Sequence, residues 1–536
     1  MSDASIPSPS ASGGKRTPRK AFSLFSLSRQ HSALSATILL GVSSLLSGLL
    51  GLVRQKYIAH VFGAGHVTDA YNAAFQLPDM INYFLVGGVA SITLVNILSR
   101  FREAGDDEGA DRALSIVLLG MTAVLSAGIL LAELFAPLYT RTFFGGLDPE
   151  TAALCTHLTR ILLPAQLFLF AGGVLASRLL VRKIFLYQAI TPLVYNLFII
   201  LGGVLLSSRF GIDSLAFGVL AGAFLGSTLL NAVGALRSGL RFYPVLNLRH
   251  PAFREWLKLS LPLMIGVSLA MADKWILAHY AAADTGGISR LTNAKAFFNA
   301  PFVVVGAAAG AASLPFFSTL FAKGRLSDFN EAVSRAISRL LSVAFLLTAW
   351  MCALSIPVID LLRGGSYTPA DALSTASYFT IFSLSLALWS AQGIYARAFY
   401  AARNTLTPAI SGTAVTFLSI PIYALLFHRL GINGLAIASD LGILAHTLIL
   451  AILLHRAHLV SLLSLEYREL SLALLAAGLS WLGASTVVRL VPHSIGHGGD
   501  VLIISVASLV WAALALLVLQ LSGSKLIDQL RIRKTA

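Results

Sequence analysis

The sequence predicts an all-α polytopic membrane protein with about fourteen transmembrane helices, and three observations carry that prediction. Of the 536 residues, 56% are hydrophobic and only 12% charged, where soluble chains carry about a quarter charged. The apolar residues fall in runs of roughly 20, the length with which a helix crosses a hydrocarbon core. Lys and Arg gather in alternate loops between those runs, as the positive-inside rule requires. Barrel strands would alternate polar and apolar residues, which these runs do not. A helix satisfies its own backbone hydrogen bonds in lipid, so the spans are helical.

The elements follow in chain order. Residues 1–33 are rich in Ser, Pro and Ala, carry Lys15, Arg16, Arg19, Lys20 and Arg29, and read as a disordered basic cytoplasmic tail. The first apolar run starts near Leu34 with no cleavage-like site after it, so it is kept as a span rather than removed as a signal peptide. Spans are expected at 34–54, 71–99, 113–135, 151–175, 186–207, 214–236 and 257–282, then at 289–319, 336–356, 372–400, 406–427, 434–454, 470–491 and 500–522. Several runs exceed what a bilayer needs, and Pro78, Pro262, Pro301 and Pro421 are candidate kinks within them. The acidic stretch Glu103-Ala-Gly-Asp106-Asp107-Glu108 lacks the alternating ligands of a calcium loop and reads as a solvated turn. Cys155 and Cys352 both fall in predicted spans, which argues against a disulfide framework or metal site.

The net charge of +15 raises nucleic acid as a partner, but the basic residues form no continuous face. They occupy short loops instead. With the N-terminus inside, the segments holding Arg100 and Arg112, Arg178 and Lys183, Arg237 to Lys258, Lys323 to Arg339, Arg397 and Arg403, Arg456 and Arg468, and Lys525 to Lys534 are cytoplasmic. Together with the tail they hold roughly 28 of the 39 Lys and Arg, and each opposite loop holds about one. The bias predicts an even number of spans in a bacterial cytoplasmic membrane, with both termini inside.

A weak internal repeat accompanies this pattern. Ala73, Phe75, Pro78 and Gly87 recur as Ala296, Phe298, Pro301 and Gly310, each 223 residues later, while Ser91 and Ser313 fall one residue out of register. Transporters built from parallel repeats place the substrate path between two bundles.

The most informative stretch is Val61-Phe-Gly-Ala-Gly-His-Val-Thr-Asp69-Ala-Tyr-Asn-Ala-Ala-Phe75-Gln-Leu-Pro78. Gly63 and Gly65 permit a tight turn out of the first helix. Thr68 or Asp69 can cap the next helix, and Pro78 should kink it. This stretch resembles the signature between the first two helices of the MurJ (MviN) family of lipid II flippases, in the MOP/MATE-like superfamily. A second landmark, Ala398-Phe-Tyr-Ala-Ala-Arg403-Asn-Thr405-Leu-Thr-Pro408, is similar to the family's join between the tenth and eleventh spans. The number of spans, the topology and the loop lengths match from about Leu34 to Lys534.

The resemblance implies two six-helix bundles around a central cavity, at 34–236 and 257–455, joined by a cytoplasmic linker at 237–256. Two extra transmembrane helices at 456–522 and a basic cytoplasmic tail at 523–536 complete the expected division. It also implies a substrate, an undecaprenyl-diphosphate-linked disaccharide-pentapeptide turned from the inner to the outer leaflet by alternating access. Membrane lipids and the cell-wall synthesis machinery are the expected partners, and the chain is expected to work as a monomer.

Moving a diphosphate through lipid requires cations inside the membrane, and the guanidinium fork of arginine suits phosphate. Arg54, at the end of the first long apolar run, matches a cavity arginine of the family and is the first choice for headgroup contact; the alternative is an arginine snorkelling at a helix end. Other cavity arginines of the family fall here on Gly48, Asn82 and Ala296. The acid that usually follows the first-helix arginine is Gln55, and a family glutamate falls on Gly87. Either the function is kept with a rearranged charge set or the substrate differs. Lys295, one residue from Ala296, and Lys274, beside Asp273, are the replacement candidates. One residue turns a side chain by about 100° on a helix, so Lys295 must rotate to serve. Alternatively Asp273 and Lys295 pair with each other. Asn82 keeps a polar group at its position.

Asp273 and Asp440 are candidates to carry a proton or to respond to membrane potential. Some family members use a sodium site in the C-terminal bundle; the positions aligned with its eleventh-span ligands are Ser419 and Tyr423, so the site looks incomplete. Arg160, His279 and His446 read as packing or interfacial residues. No phosphate loop, paired metal-ligand histidines or nucleophile elbow occurs, so no enzyme and no cofactor is expected. Energy then comes from an H+ or Na+ gradient, from membrane potential or from consumption of the product.

Overall fold

In the computed structural model, which describes residues 33–83, 89–264, 269–303, 305, 308–491 and 496–527, the apolar runs are helices. Among the described residues nine helices are long and apolar enough to cross a membrane, or ten when Pro369–Leu384 and Leu386–Ala401, bent by 41°, count as one span. The 51-residue helix Leu406–Arg456 is two spans, because its backbone leaves helical geometry at Gly431 (φ 59°, ψ −140°). The chain doubles back there: a Cβ on Gly434 would stand 2.0 Å from the Leu426 carbonyl oxygen, although eight residues of straight helix rise about 12 Å.

The second span is assembled from His66–Ala74, Gln76–Ile81 and Val89–Glu103. The seventh comprises Pro251–Met264 and Leu269–Ala281, and the eighth Gly287–Phe302 and Ala308–Ala322. With these the described helices make up fourteen spans. Several outrun their predicted limits. The third reaches from Asp107 to Phe143, started by the Asp106 carboxylate, which accepts the Gly109 amide at 2.7 Å. The acidic turn is therefore a helix cap as well as a solvated loop.

Proline explains one break and fails to produce another. A proline ring displaces the carbonyl four residues back, which for Pro78 is that of Ala74. The helix stops at Ala74 and resumes at Gln76, and the Thr159 hydroxyl reaches the freed Ala74 carbonyl at 3.5 Å. Pro421, expected to kink its span, sits instead in uninterrupted helix, and the break falls ten residues later at Gly431. Pro421 is exposed, and the helix continues through it. Pro301 lies in the last turn of Gly287–Phe302 and Pro262 in the last turn of Pro251–Met264. Gly87 lies outside the described residues, as does the side chain of Ser91.

The internal repeat is written into the turns. Positive φ angles pair across the two halves: Gly63 with Gly286, Gly105 with Gly324, Lys183 with Arg403, Gly211 with Gly431, and Gly239 with His458. Each pair is separated by 219 to 223 residues. Positive φ is costly for residues with a Cβ, so Lys183 and Arg403 sharing it at equivalent turns reflects a common backbone path.

The cores show how the two bundles meet. One large cluster contains residues of both, among them Ile58, Leu158 and Leu215 from the first six spans and Ile288, Phe379 and Ile432 from the next six. It fills the end of the molecule where the first span ends and the eighth begins, here the far end. At the near end the cores separate: Leu94, Leu114, Phe170 and Trp256 form one, and Phe317, Phe329, Tyr395 and Leu454 another. The bundles thus share a core at the far end and diverge toward the near end. The last two helices, Tyr467–Leu490 and Gly496–Leu521, pack on the ninth span, where Trp350 donates to Ser508 (2.8 Å) and Trp511 to the Leu346 carbonyl (3.0 Å).

Candidate substrate cavity and its gate

The signature turn builds the far-end closure. Gly63 has φ +73°, and a Cβ there would stand 2.5 Å from the Ser366 carbonyl oxygen, so glycine is required both for conformation and for space. Gly65 is extended (φ −167°) and precedes the second span. The Gly65 amide donates to the Thr68 hydroxyl (3.0 Å), which donates back to the Gly65 carbonyl (3.1 Å).

Asp69 does not cap its own helix. Its carboxylate accepts the Gly286 amide (2.5 Å), the Ser289 amide (2.8 Å) and the Ser289 hydroxyl (2.6 Å). Thr68 already closes the local turn, and the exposed amides that begin the eighth span, in the other bundle, offer Asp69 the better site. Around it, Gln55 donates to Asn293 (3.0 Å), Asn72 to Ser289 (3.2 Å), the Ser366 amide to the His60 carbonyl (2.8 Å) and Lys56 to the Arg363 carbonyl (2.7 Å). Each joins one bundle to the other, so the far end is shut by polar bonds over a shared apolar core.

Below this closure lies a cavity of about 470 Å³. Arg54, Gln55 and Gln76 line it from the first bundle, and Asp273, Lys274, Lys295, Phe298 and Trp389 from the second. Gly48 and Ala296 line it too, without charge. The structure therefore gathers three of the four residues singled out for substrate contact: Arg54, Lys274 and Lys295. Asn82 instead lines a separate pocket of about 300 Å³ with Asp79, Gln166 and Tyr195.

The three cations differ in what holds them. Arg54 donates to the neutral Asn196 amide oxygen (3.0 Å). Lys274 forms an ion pair with Asp79 across the bundles. Lys295 pairs with Asp273 (2.9 Å), donates to Ser439 (3.1 Å) and lies 4.0 Å from the Phe382 ring centroid. Asp273 also accepts the Tyr423 hydroxyl. The expected Asp273–Lys295 pairing is thus present, and it leaves Lys295 on the cavity wall. Asp440 is part-buried among these spans, and its Oδ1 has no hydrogen-bond partner among the described residues.

Sequence reasoning missed Asp79 and Asn196. Asp79 was readable as an acid inside an apolar run, but it stands one residue after Pro78 in a motif that draws attention to the proline. Nothing in the sequence near Asn196 sets it apart. Of the residues read as packing or interfacial, His446 is buried, 3.3 Å from the Ser411 hydroxyl, while Arg160 and His279 are exposed, Arg160 donating to the Glu133 carbonyl (3.1 Å) and His279 contacting the Phe143 carbonyl (2.5 Å). Cys155 and Cys352 are both free.

Two six-helix bundles, closed at one end over a cationic cavity, define a multi-pass membrane protein of the two-bundle transporter class. The fold is similar to that of a solved lipid II flippase MurJ in an inward closed conformation (TM-score 0.76, 23% identity, 90% of this chain and 99% of that one). It is also similar to an inward-facing multidrug resistance MATE family transporter of the MOP superfamily (TM-score 0.64, 15% identity, 79% of this chain and 98% of that one). The family model described as lipid II flippase MurJ matches residues 58–497, and the chain belongs to the MurJ family. Relatives include the probable lipid II flippase MurJ of Borreliella burgdorferi, 24% identical over 417 residues (76% of this chain, 80% of the relative). That of Rhizobium meliloti is 25% identical over 435 residues (78% and 80%).

Proposed function

We propose that this protein translocates lipid II, the lipid-linked peptidoglycan precursor, from the inner to the outer leaflet of the bacterial cytoplasmic membrane by alternating access. The observation that carries the reading is a cavity between two bundles, shut at the far end, with Arg54 on its wall bonded, among the described residues, to a neutral amide. Arg54 has no carboxylate partner among the described residues, so a diphosphate meeting it gains charge-assisted bonds without displacing one. Lys274 and Lys295 add positive potential, each partly neutralised by an aspartate. With both termini in the cytoplasm, the near end admits substrate and the far-end closure is periplasmic. The chain acts as a monomer that delivers its product to the cell-wall synthesis machinery.

Asp273, coupled to Lys295, and Asp440, with a free carboxylate oxygen, are the groups proposed to link transport to an H+ or Na+ gradient or to membrane potential. At the position where a cation would meet Asp273 and Ser439, the Lys295 ammonium already bonds to both. That arrangement favours a proton or the potential over sodium.

A second reading rests on the uncharged positions Gly48, Asn82 and Ala296: a flippase for another undecaprenyl-diphosphate-linked glycan, which presents the same diphosphate but a different sugar. A MATE-like small-molecule exporter is the third reading and would use the acids as binding groups. Complementation separates them. In a bacterium whose only lipid II flippase is depleted, the wild-type chain is expected to restore growth and Arg54→Ala to fail at equal membrane levels. Failure of a membrane-inserted wild-type chain would overturn the lipid II reading.

A further inference from the structure

The geometry points to Asp79 as a resident anion that sets the charge threshold for the cavity, so that lipid diphosphates are accepted and lipid monophosphates refused. This inference rests on the proposed lipid-diphosphate substrate and adds a specificity residue to it. Asp79 belongs to the second span and Lys274 to the seventh, and their ion pair bridges the two bundles. The pair lies ten residues along the second span from the Asp69 gate, about 15 Å of helical rise. Lys274 lines the cavity and Asp79 lines the adjoining pocket of about 300 Å³, so the pair sits at the cavity wall, apart from the far-end closure.

The Lys274 pair differs from the other cation contacts of the cavity in being removable. The Lys295–Asp273 pair is enclosed, its carboxylate 5% exposed and its ammonium further fixed by Ser439 and the Phe382 ring. Arg54 has no anionic partner among the described residues. Lys274 and Asp79 are 46% and 26% exposed, and water-facing pairs of this kind are weak. An incoming phosphate can take Lys274 in exchange for the carboxylate at nearly constant charge pairing.

The exchange does not favour every phosphate equally. Once displaced, the Asp79 carboxylate remains beside the site and repels the group that displaced it. A monophosphate exchanges one contact for another and meets that repulsion, so it gains little. A diphosphate has charge enough to engage Arg54 and Lys274 together, and the second contact offsets the repulsion. Specificity built by penalising the wrong ligand is a general device. It answers a need here, because singly charged phospholipid headgroups are abundant in the bilayer that surrounds the cavity.

The test uses the full chain in nanodiscs of neutral lipid, with binding of undecaprenyl diphosphate and undecaprenyl monophosphate measured separately. Wild type is expected to prefer the diphosphate. Asp79→Asn, close in shape to the native residue, is expected to bind the monophosphate about fivefold more tightly and to lose a corresponding part of the preference. Lys274→Gln is expected to weaken diphosphate binding by a similar factor and to leave monophosphate binding nearly unchanged. An unchanged preference in Asp79→Asn, or one lost through weaker diphosphate binding, would overturn the inference while leaving the substrate reading intact. Failure of wild type to bind the diphosphate at all would overturn that reading itself, and this inference with it. Should Asp79→Asn fail to insert, the Lys274→Gln arm decides alone: equal losses for both ligands would refute the threshold.

Discussion

Arg54 and Lys295 stand on the same cavity wall and answer to different tests. Arg54 keeps a neutral partner, so its charge is available and its geometry matters: Arg54→Lys preserves the charge and loses the planar fork. Complementation by Arg54→Lys is expected to be partial, between wild type and Arg54→Ala. Lys295 is tied to a buried acid, and removing one partner of such a pair strands a charge at a cost of about 3–5 kcal/mol. Lys295→Met and Asp273→Asn should therefore each lower the melting temperature of the detergent-solubilised protein, and the double variant should recover most of the loss. If the recovered double variant also restores growth in the depletion strain, the pair is structural. If it is stable and inactive, Lys295 or Asp273 works in transport. The same distinction corrects the charge pattern at one point. Arg178, counted among the loop cations, is 4% exposed and paired with Asp111, so it contributes to the first bundle's packing and not to a free cytoplasmic surface.

At the scale of elements, turns and helices differed in how readable they were. Span number and type were legible because a bilayer demands runs of fixed length, and the charges inside those runs are few. The breaks were only partly legible. Pro78 announces the break at Phe75, but the break at Gly431 is made by a glycine whose role depends on the sharp reversal that follows. The pairing of Gly211 with Gly431 gives a clean test of the repeat. Neither glycine has any atom within 4 Å of the position a Cβ would take, and both have positive φ with strongly negative ψ. Gly211→Ala and Gly431→Ala should thus each cost about 1–3 kcal/mol from backbone strain alone, and nearly equally. Thermal unfolding of the two variants measures this directly, and a large difference between them would mean that the two turns are not equivalent. Gly63→Ala should be worse than either, since it adds contact with the Ser366 carbonyl to the strain. The cavity was legible as a set of cations but not as a set of pairs. Which acid faces which lysine depends on how two bundles approach, and no periodicity in one chain segment encodes that.

For the whole molecule, the question is what holds the far end shut, because alternating access requires that closure to yield. Two kinds of interaction are superimposed there, a shared apolar core and the hydrogen bonds centred on Asp69. The core is non-directional and loses little when the bundles tilt by a small angle, whereas the bonds to Gly286 and Ser289 require one register. Asp69 should therefore act as the latch. In a background with Cys155 and Cys352 replaced by alanine, a cysteine at Thr292, on the cavity wall, reports access. In intact cells it should resist a membrane-impermeant maleimide, and in inverted vesicles it should label, since the cores diverge toward the near end. Asp69→Asn leaves two backbone amides and a hydroxyl facing an amide that accepts less well, a change of about 1 kcal/mol or more in the closed state. Labelling from outside should then rise about fivefold. A Thr292→Cys variant that labels equally from outside with and without Asp69→Asn would assign the closure to the apolar core. Labelling of Thr292→Cys with Asp69 intact in whole cells, and none in inverted vesicles, would reverse the orientation proposed for transport.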